Sequence, residues 1–212
     1  MKYFKRGVLI LLTIFLVLNL LLAIGLKVSN SNITLFDIYK QKLPLKDNIE
    51  VKYSNTFLSE KISSFPMQEY NECSGYATAY NLRTRNIKVN SKKVYEEMKY
   101  KLGNGYVLPE SISNYLEEKG FKITLNQGSF KQLKTRLNKG FPIIVLIGEG
   151  LKWQHYVNVV GYDENNVYLY DSLVKNQTNK YYNRKLNNKV FLKYWDNKLP
   201  MFNNIYYTIE DH

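Results

Sequence analysis

The chain has few of the residues that form disulfides or bind metal ions. Its 212 residues include one cysteine, Cys73, and two histidines, His155 and His212. A single cysteine excludes a disulfide within the chain, so the fold must rely on a hydrophobic core, for which the chain is long enough. His212 is the last residue, where disorder is the norm. One cysteine and one usable histidine are too few for a typical zinc site, so no metal or cofactor is expected.

The chain also lacks charge near its beginning. Residues 7–26 carry no charged side chain, and Lys2, Lys5 and Arg6 precede them. About twenty apolar residues span a bilayer as a helix, whereas a secretory signal normally has a shorter apolar region. Residues 1–26 are therefore expected to be an uncleaved transmembrane signal anchor rather than a cleaved signal that would yield a secreted protein. The preceding cations favour a single-pass cell-membrane protein whose remainder is extracellular.

Acidic residues are outnumbered by basic ones, and the formal net charge is +12. This excess suits an anionic surface such as lipid head groups or an acidic wall polymer, but a solvated basic surface without a specific partner is the favoured explanation. The cations are scattered, and the sequence shows no helix-turn-helix, zinc or RNA-binding signature. No nucleic-acid partner is therefore expected.

The remainder of the chain divides into a connector and one compact domain. Residues 27–64 are interpreted as a connector that could lead the domain away from the membrane or pack on it, and residues 65–212 as the domain. Caps and apolar periodicity predict helices at 73–82, 92–102 (after Ser91), 109–119 and 130–138 (after Ser129). Strands are predicted at 121–125, 142–147 and 205–209, with a hairpin formed by 155–160 and 167–171. Helices followed by antiparallel strands indicate the α+β class.

The stretch around Cys73 has two interpretations. A thiol at the start of a helix lies at the positive end of the helix dipole, which favours the thiolate. Gln68, a few residues upstream, could donate a hydrogen bond to a developing oxyanion, or it could be an ordinary surface side chain. A lone cysteine is more often a buried structural residue. A free thiol in an exported protein nevertheless needs a reason, which favours a reactive Cys73.

A cysteine nucleophile needs a base, and His155 is the one available. Side chains alternate along a strand, and a turn centred near Asp163 would set His155 roughly opposite Asp171, whose carboxylate could orient the imidazole. Asp163 is a weaker candidate because it lies in the turn, and Asn158 has the wrong parity. Each residue also has a plain structural explanation, His155 as a half-buried strand residue and Asp171 as a strand end.

Several of these motifs together resemble a known family. Gln68, residues 73–77 (CSGYA), 155–163 (HYVNVVGYD) and 170–172 (YDS) are similar to the bacteriocin-processing, double-glycine leader peptidases, which are papain-like cysteine peptidases. The resemblance covers roughly residues 65–173. It implies a papain-like fold with Cys73 as nucleophile, His155 as base, Asp171 as orienting residue and Gln68 as oxyanion donor.

This sequence departs from the family pattern in two places. Relatives often carry glycine directly after the cysteine, where this chain has Ser74, and their glutamine tends to lie slightly further upstream. The transporter domains often fused to such peptidases are absent from the sequence, so processing of leader peptides during export is not implied.

These observations predict a membrane-anchored cysteine peptidase that hydrolyses peptide bonds through a Cys-His-Asp triad, with a peptide or protein as substrate. A cell-wall peptide amidase would use the same chemistry. A non-catalytic peptide-binding module of the same fold is the contrasting alternative.

Overall fold

The computed structural model describes residues 2–175 and 179–210; His212 lies outside them. The helices are α1 (Lys2–Val28), α2 (Leu35–Tyr39), α3 (Cys73–Arg83), α4 (Ser91–Glu97), α5 (Pro109–Glu118), α6 (Phe130–Leu137) and α7 (Asn188–Trp195). The strands are β1 (Leu45–Lys46), β2 (Phe57–Leu58), β3 (Lys122–Gln127), β4 (Ile143–Glu149), β5 (Trp153–Tyr162), β6 (Asn166–Tyr170), β7 (Arg184–Asn187) and β8 (Ile205–Glu210).

The strands form one sheet in the order β1-β3-β8-β4-β5-β6-β7, and β2 pairs with β5 outside this path. Every pairing is antiparallel except that of β1 with β3. The predicted α+β class, with a helical part followed by antiparallel strands, is confirmed. The predicted hairpin is present as β5 and β6.

Strand β4 explains how the sheet is buried on both faces. Its side chains alternate, so that Ile144 and Leu146 pack with α3, α4 and α5, while Val145 and Ile147 pack with α6 and α7 on the opposite face. This is why its sequence is a continuous apolar run rather than an alternating one. Trp195 at the end of α7 is fully buried and donates its indole N–H to the Ile205 carbonyl at 3.0 Å. The helices on both faces thus hold the central strands rigidly.

Helix α1 contains the apolar run noted above. Residues Tyr3–Val28 contain an 18-residue stretch with a mean hydropathy of 2.9 and, within the described residues, form the one helix long and apolar enough to cross a membrane. Thr13 donates to the Leu9 carbonyl at 2.9 Å and Asn19 to the Phe15 carbonyl at 2.8 Å, and Asn19 Oδ1 accepts a hydrogen bond from the Tyr39 hydroxyl on α2. By length and composition, α1 is therefore a candidate membrane span.

Residues 45–58 contribute to the sheet. Strand β1 pairs with β3, and β2 pairs with β5 where an added Cβ on Gly161 would come within 2.5 Å of the Phe57 carbonyl oxygen. Between these strands, the buried Asp47 accepts hydrogen bonds from Arg136 Nε (3.0 Å) and Nη2 (2.8 Å) and one from the Tyr206 hydroxyl. This buried ion pair fastens the segment to α6 and β8.

Helix α4 is shorter than the sequence pattern predicts. It ends at Glu97 rather than near residue 102, and its N-cap is Asn90 rather than Ser91. The Asn90 side chain accepts from the Lys93 N–H at 3.1 Å, whereas the Ser91 hydroxyl accepts from Arg83 at 3.0 Å. Met98 is buried as the apolar stripe predicts, but its backbone is extended (ψ 140°), so burial at this position did not require a helix.

Candidate active site

Cys73 is the first residue of α3 and is buried, with 4% of its surface exposed. The N-cap residue of this helix is Glu72, whose side chain forms no capping hydrogen bond. Helix α3 lies unusually close to α4: an added Cβ on Gly75 would be 2.3 Å from Tyr95 Cβ and 2.6 Å from its Cα. A glycine at position 75 is therefore required by the packing that positions Cys73.

His155 connects Cys73 to Asp171. Its Nε2 lies 2.7 Å from Asp171 Oδ1, and the Cys73 side chain is near enough to raise the pKa of the imidazole. Because Nε2 is taken by Asp171, Nδ1 is the nitrogen left to face the thiol. His155 is 5% exposed and Asp171 is fully buried, so both interactions are shielded from water.

This arrangement shifts the ionisation of both side chains. Burial alone would lower the pKa of His155, but hydrogen bonds to Asp171 and Cys73, with the negative charges of both, outweigh it and raise the pKa to about 9. Burial alone would raise the pKa of Asp171, but hydrogen bonds from His155, Leu173 and Arg184 hold it well below its usual range. The geometry therefore favours an imidazolium and an ionised carboxylate at neutral pH.

Two residues that hold Asp171 were not anticipated from the sequence. Arg184, on β7, contacts Asp171 Oδ2 through Nη1, while His155 takes Oδ1. The buried Asn183 accepts from the Asp171 N–H at 2.8 Å and donates to its carbonyl at 2.7 Å. Neither residue stands in a recognisable motif; only the pairing of β6 with β7 brings them to Asp171.

The β5–β6 hairpin places His155 and Asp171 on one face of the sheet, as predicted, but pairs the two strands in a different register. Asn158 pairs with Tyr170, and a bulge interrupts the ladder between Val159 and Gly161. Extending this register would place Asp171 across from Val157 rather than His155. The two side chains meet diagonally, since a displacement of two residues keeps them on one face of the sheet.

Gln68 lies beside this group, with its carboxamide already engaged. Its Oε1 accepts from the Ser172 hydroxyl at 2.6 Å, its Nε2 donates to the Tyr70 carbonyl, and its backbone N–H donates to the Ser172 carbonyl at 3.0 Å. Ser172, which follows Asp171 in the sequence, thus fixes Gln68 near the site. The amide donor of Gln68 is not free in this structure.

The weaker candidates have structural partners elsewhere. Asp163 accepts hydrogen bonds from the backbone of Asn165 and Asn166, both at 2.7 Å, which stabilises the hairpin turn. Asn158 donates to the Ala77 carbonyl at 2.8 Å and thereby joins β5 to α3. Among residues 2–175 and 179–210, no group of three or more His, Cys, Asp or Glu side chains is placed to hold a metal ion.

Cys73 also lines a cavity of about 740 Å³, within the usual range for ligand sites of about 300–1,000 Å³. Its walls are mainly apolar and include Tyr156, Val107 and Trp153. The site therefore combines a thiol, an adjacent imidazole and the carboxylate bonded to that imidazole with an adjoining apolar cleft, which is an arrangement suited to acyl transfer.

The sequence matches the model of the Peptidase_C39 like family over residues 49–198. The chain belongs to this family. A search of curated protein sequences gave no significant match. The family assignment agrees with the predicted resemblance to the double-glycine leader peptidases, which is confirmed.

Solved structures of C39-type peptidases share the fold. A C39-like peptidase from Bacillus anthracis aligns with a TM-score of 0.60 at 17% identity, over 73% of this chain and 98% of the other. The peptidase domain of Streptococcus ComA gives 0.53 at 15% identity, over 69% and 96%. A double glycine motif protease from an AMS/PCAT transporter, solved with its leader peptide, gives 0.54 at 16% identity, over 81% and 100%. At these identities the likeness establishes the fold, and the predicted papain-like peptidase fold of this C39-like chain is confirmed.

Proposed function

We propose that this C39-like protein is a membrane-anchored cysteine peptidase with Cys73 as nucleophile, His155 as base and Asp171 as the residue that orients His155. One observation carries the proposal: beside an apolar cleft, the imidazole is hydrogen-bonded to the carboxylate and has its pKa raised by the neighbouring thiol. The fold, shared with C39-type cysteine peptidases, supports the same chemistry.

In the proposed reaction, His155 already holds the proton of the Cys73 thiol as an imidazolium, and the thiolate attacks the carbonyl carbon of a peptide bond. The Cys73 backbone N–H and Gln68 Nε2 would stabilise the resulting oxyanion, for which Gln68 must release the Tyr70 carbonyl. His155 then gives its proton to the leaving amine. Water, deprotonated by His155, attacks the thioester, releases the carboxylic acid and restores the thiol.

Asp171 would stabilise the imidazolium and hold the ring with Nδ1 towards Cys73. Arg184 would act as a positioning residue, because it holds the carboxylate oxygen that His155 does not use. Helix α1 would anchor the chain in the cell membrane as one span, and the cations before it would keep the remainder outside. The substrate is accordingly proposed to be an extracellular peptide or protein.

A peptidyl probe that alkylates thiols tests the proposal. Because Cys73 is the one thiol in the sequence, labelling of the full-length protein in nanodiscs reports on this residue alone. We expect labelling by a peptidyl vinyl sulfone to exceed that of His155→Gln by about a hundredfold or more, while iodoacetamide reacts with both. Cys73→Ala is the blank.

Equal vinyl sulfone labelling of the wild type and His155→Gln would refute the proposed catalytic pair and favour a non-catalytic module. Turnover of purified cell-wall peptide fragments, with no cleavage in peptide libraries, would instead assign the same residues to a wall peptide amidase.

A further inference from the structure

The cleft beside Cys73 is partly built by the segment that follows α1. Residues 33–43, here termed the strap, contribute five residues to its lining: Ile33, Ile38, Tyr39, Gln41 and Leu43. Trp153, Tyr156 and Phe202 line the same cavity. Residues distant in sequence from the Cys73 motif therefore decide the shape of one wall.

The strap is fixed at its beginning by contacts with the loop that follows α4. The Asn32 N–H donates to the Lys101 carbonyl at 3.1 Å, and the Lys101 N–H donates to Asn32 Oδ1 at 2.7 Å. The Gly103 N–H donates to the Ser31 hydroxyl at 2.9 Å. Ile33 follows directly and is 4% exposed. These contacts seat the first residue of the strap in the protein core.

The other end of the strap is fastened more firmly. Strand β1 follows it and pairs with β3, and the next residue is Asp47, buried in its ion pair with Arg136. Within the strap, Thr34 and Asp37 form a capping box that starts α2. A segment held at both ends, with its own helical turn, presents side chains to the cleft in a fixed geometry.

Two polar side chains in the mainly apolar lining point to the kind of ligand. The carboxamide oxygens of Gln41 and Gln154 are buried and have no hydrogen-bond partner in the part of the chain that the structure describes. Their amide nitrogens are occupied, Gln41 Nε2 by the Asp37 carbonyl at 3.0 Å and Gln154 Nε2 by the Gly150 carbonyl at 2.6 Å. Two acceptors in an apolar cleft suit a ligand that brings N–H donors and apolar side chains.

We propose that the strap is a specificity-determining wall of the peptide cleft. A peptide with apolar side chains lies between Tyr39 and Leu43 on one side and Trp153 on the other, and its backbone N–H groups donate to Gln41 and Gln154. This inference rests on the proposed function for the substrate class, but the binding it describes is independent of turnover.

Binding to the full-length Cys73→Ala protein in nanodiscs tests it. The probes are a short fluorescein-labelled peptide rich in leucine and its counterpart with aspartate for leucine, read by fluorescence anisotropy with empty nanodiscs subtracted. The structure offers matched controls: Tyr39 lines the cleft and Phe36, on the same helix, does not, at exposures of 61% and 63%. Leu43 and Leu45 form a second pair, at 56% and 63%.

We expect Tyr39→Ala and Leu43→Ala to weaken binding of the leucine-rich peptide about tenfold, and Gln41→Met about fivefold, whereas Phe36→Ala and Leu45→Ala stay within about twofold of the parent. Equal effects of strap and control substitutions, or equal affinity for the aspartate counterpart, would overturn the inference. If the vinyl sulfone test fails while this binding pattern holds, the proposed catalysis falls and the cleft assignment stands.

Discussion

Replacing Arg184 by methionine tests how much its contact with Asp171 Oδ2 contributes to activity. Methionine fills a similar volume but provides no donor for Asp171 Oδ2, which is left without the guanidinium that contacts it. His155 and the Leu173 N–H still donate to Oδ1. The carboxylate therefore remains in place but is less firmly held, and so is the imidazole that depends on it.

The size of the effect follows from this contact. A hydrogen bond to a charged group contributes about 1.5–3 kcal/mol. The Arg184 side chain is 32% exposed, so solvent screening argues for the lower end of that range. A loss of about 1.5 kcal/mol in the transition state corresponds to about a tenfold lower kcat/KM. Asp171→Ala should cost considerably more, because it also removes the partner of His155.

The assay is hydrolysis of a fluorogenic peptide across pH, and it separates positioning from general stabilisation. Arg184 is among the groups that lower the pKa of Asp171, so its removal raises that pKa and moves the acid-side loss of activity to higher pH. Arg184→Lys should recover part of the rate, because a single nitrogen makes the contact. Lys185→Met, which removes a charge from the adjacent exposed position, is the matched control.

An Arg184→Met protein with an unshifted acid limb would refute the reasoning, even if its activity were low. A Lys185→Met protein with the same shift would attribute the effect to net charge rather than to the contact with Asp171.

Three further predictions concern the framework of the site. The pKa of His155 is raised from 6.5 to about 9, so its protonated form stabilises the fold fully below pH 6.5; the melting temperature should fall as pH rises through 9, and this fall should be absent in His155→Gln. Gly75→Ala should lower stability by about 1–3 kcal/mol in thermal unfolding, because its methyl group would overlap Tyr95. Arg136→Met should lower the free energy of unfolding by about 3 kcal/mol, because the Asp47 charge stays buried with only neutral donors. Adding Asp47→Asn should recover part of that loss.

Each of these predictions can fail in a specific way. If the melting temperature of His155→Gln falls with pH as that of the wild type does, groups other than His155 cause the alkaline loss of stability. A Gly75→Ala protein as stable as the wild type would show that α3 and α4 can move apart. A double variant no more stable than Arg136→Met would show that the charge of Asp47 is not the cause of the loss.

The residues of the candidate site were easier to predict than their geometry. The scarcity of cysteine and histidine left Cys73 and His155 as the natural pair, and the alternation of a strand put His155 and Asp171 on one face. The register differed because the turn is centred between Glu164 and Asn165 rather than near Asp163. The bulge between Val159 and Gly161 takes back one residue of that shift, so that His155 and Asp171 still share a face. Periodicity reveals neither the centre of the turn nor the bulge.

Features that depend on contacts between distant segments were not predictable. Strands β1 and β2 are two residues long and show no period, so the contribution of residues 45–58 to the sheet left no mark in the sequence. Arg184 gained its place beside Asp171 through the pairing of β7 with β6. Residues 188–195 carry a capping Asn187 with Phe191 and Trp195 one helical turn apart, a signal that could have predicted α7.

The division of the site between α3 and the β5–β6 hairpin has a consequence for the newly made chain. Cys73 emerges from the ribosome long before His155 and Asp171, and the two parts meet only when α3 docks on β5, where Asn158 donates to the Ala77 carbonyl. Contacts between segments so distant in sequence are late and slow to form during folding. On the proposed function, an unfinished chain therefore cannot cleave anything, and the onset of peptide hydrolysis marks the completion of folding.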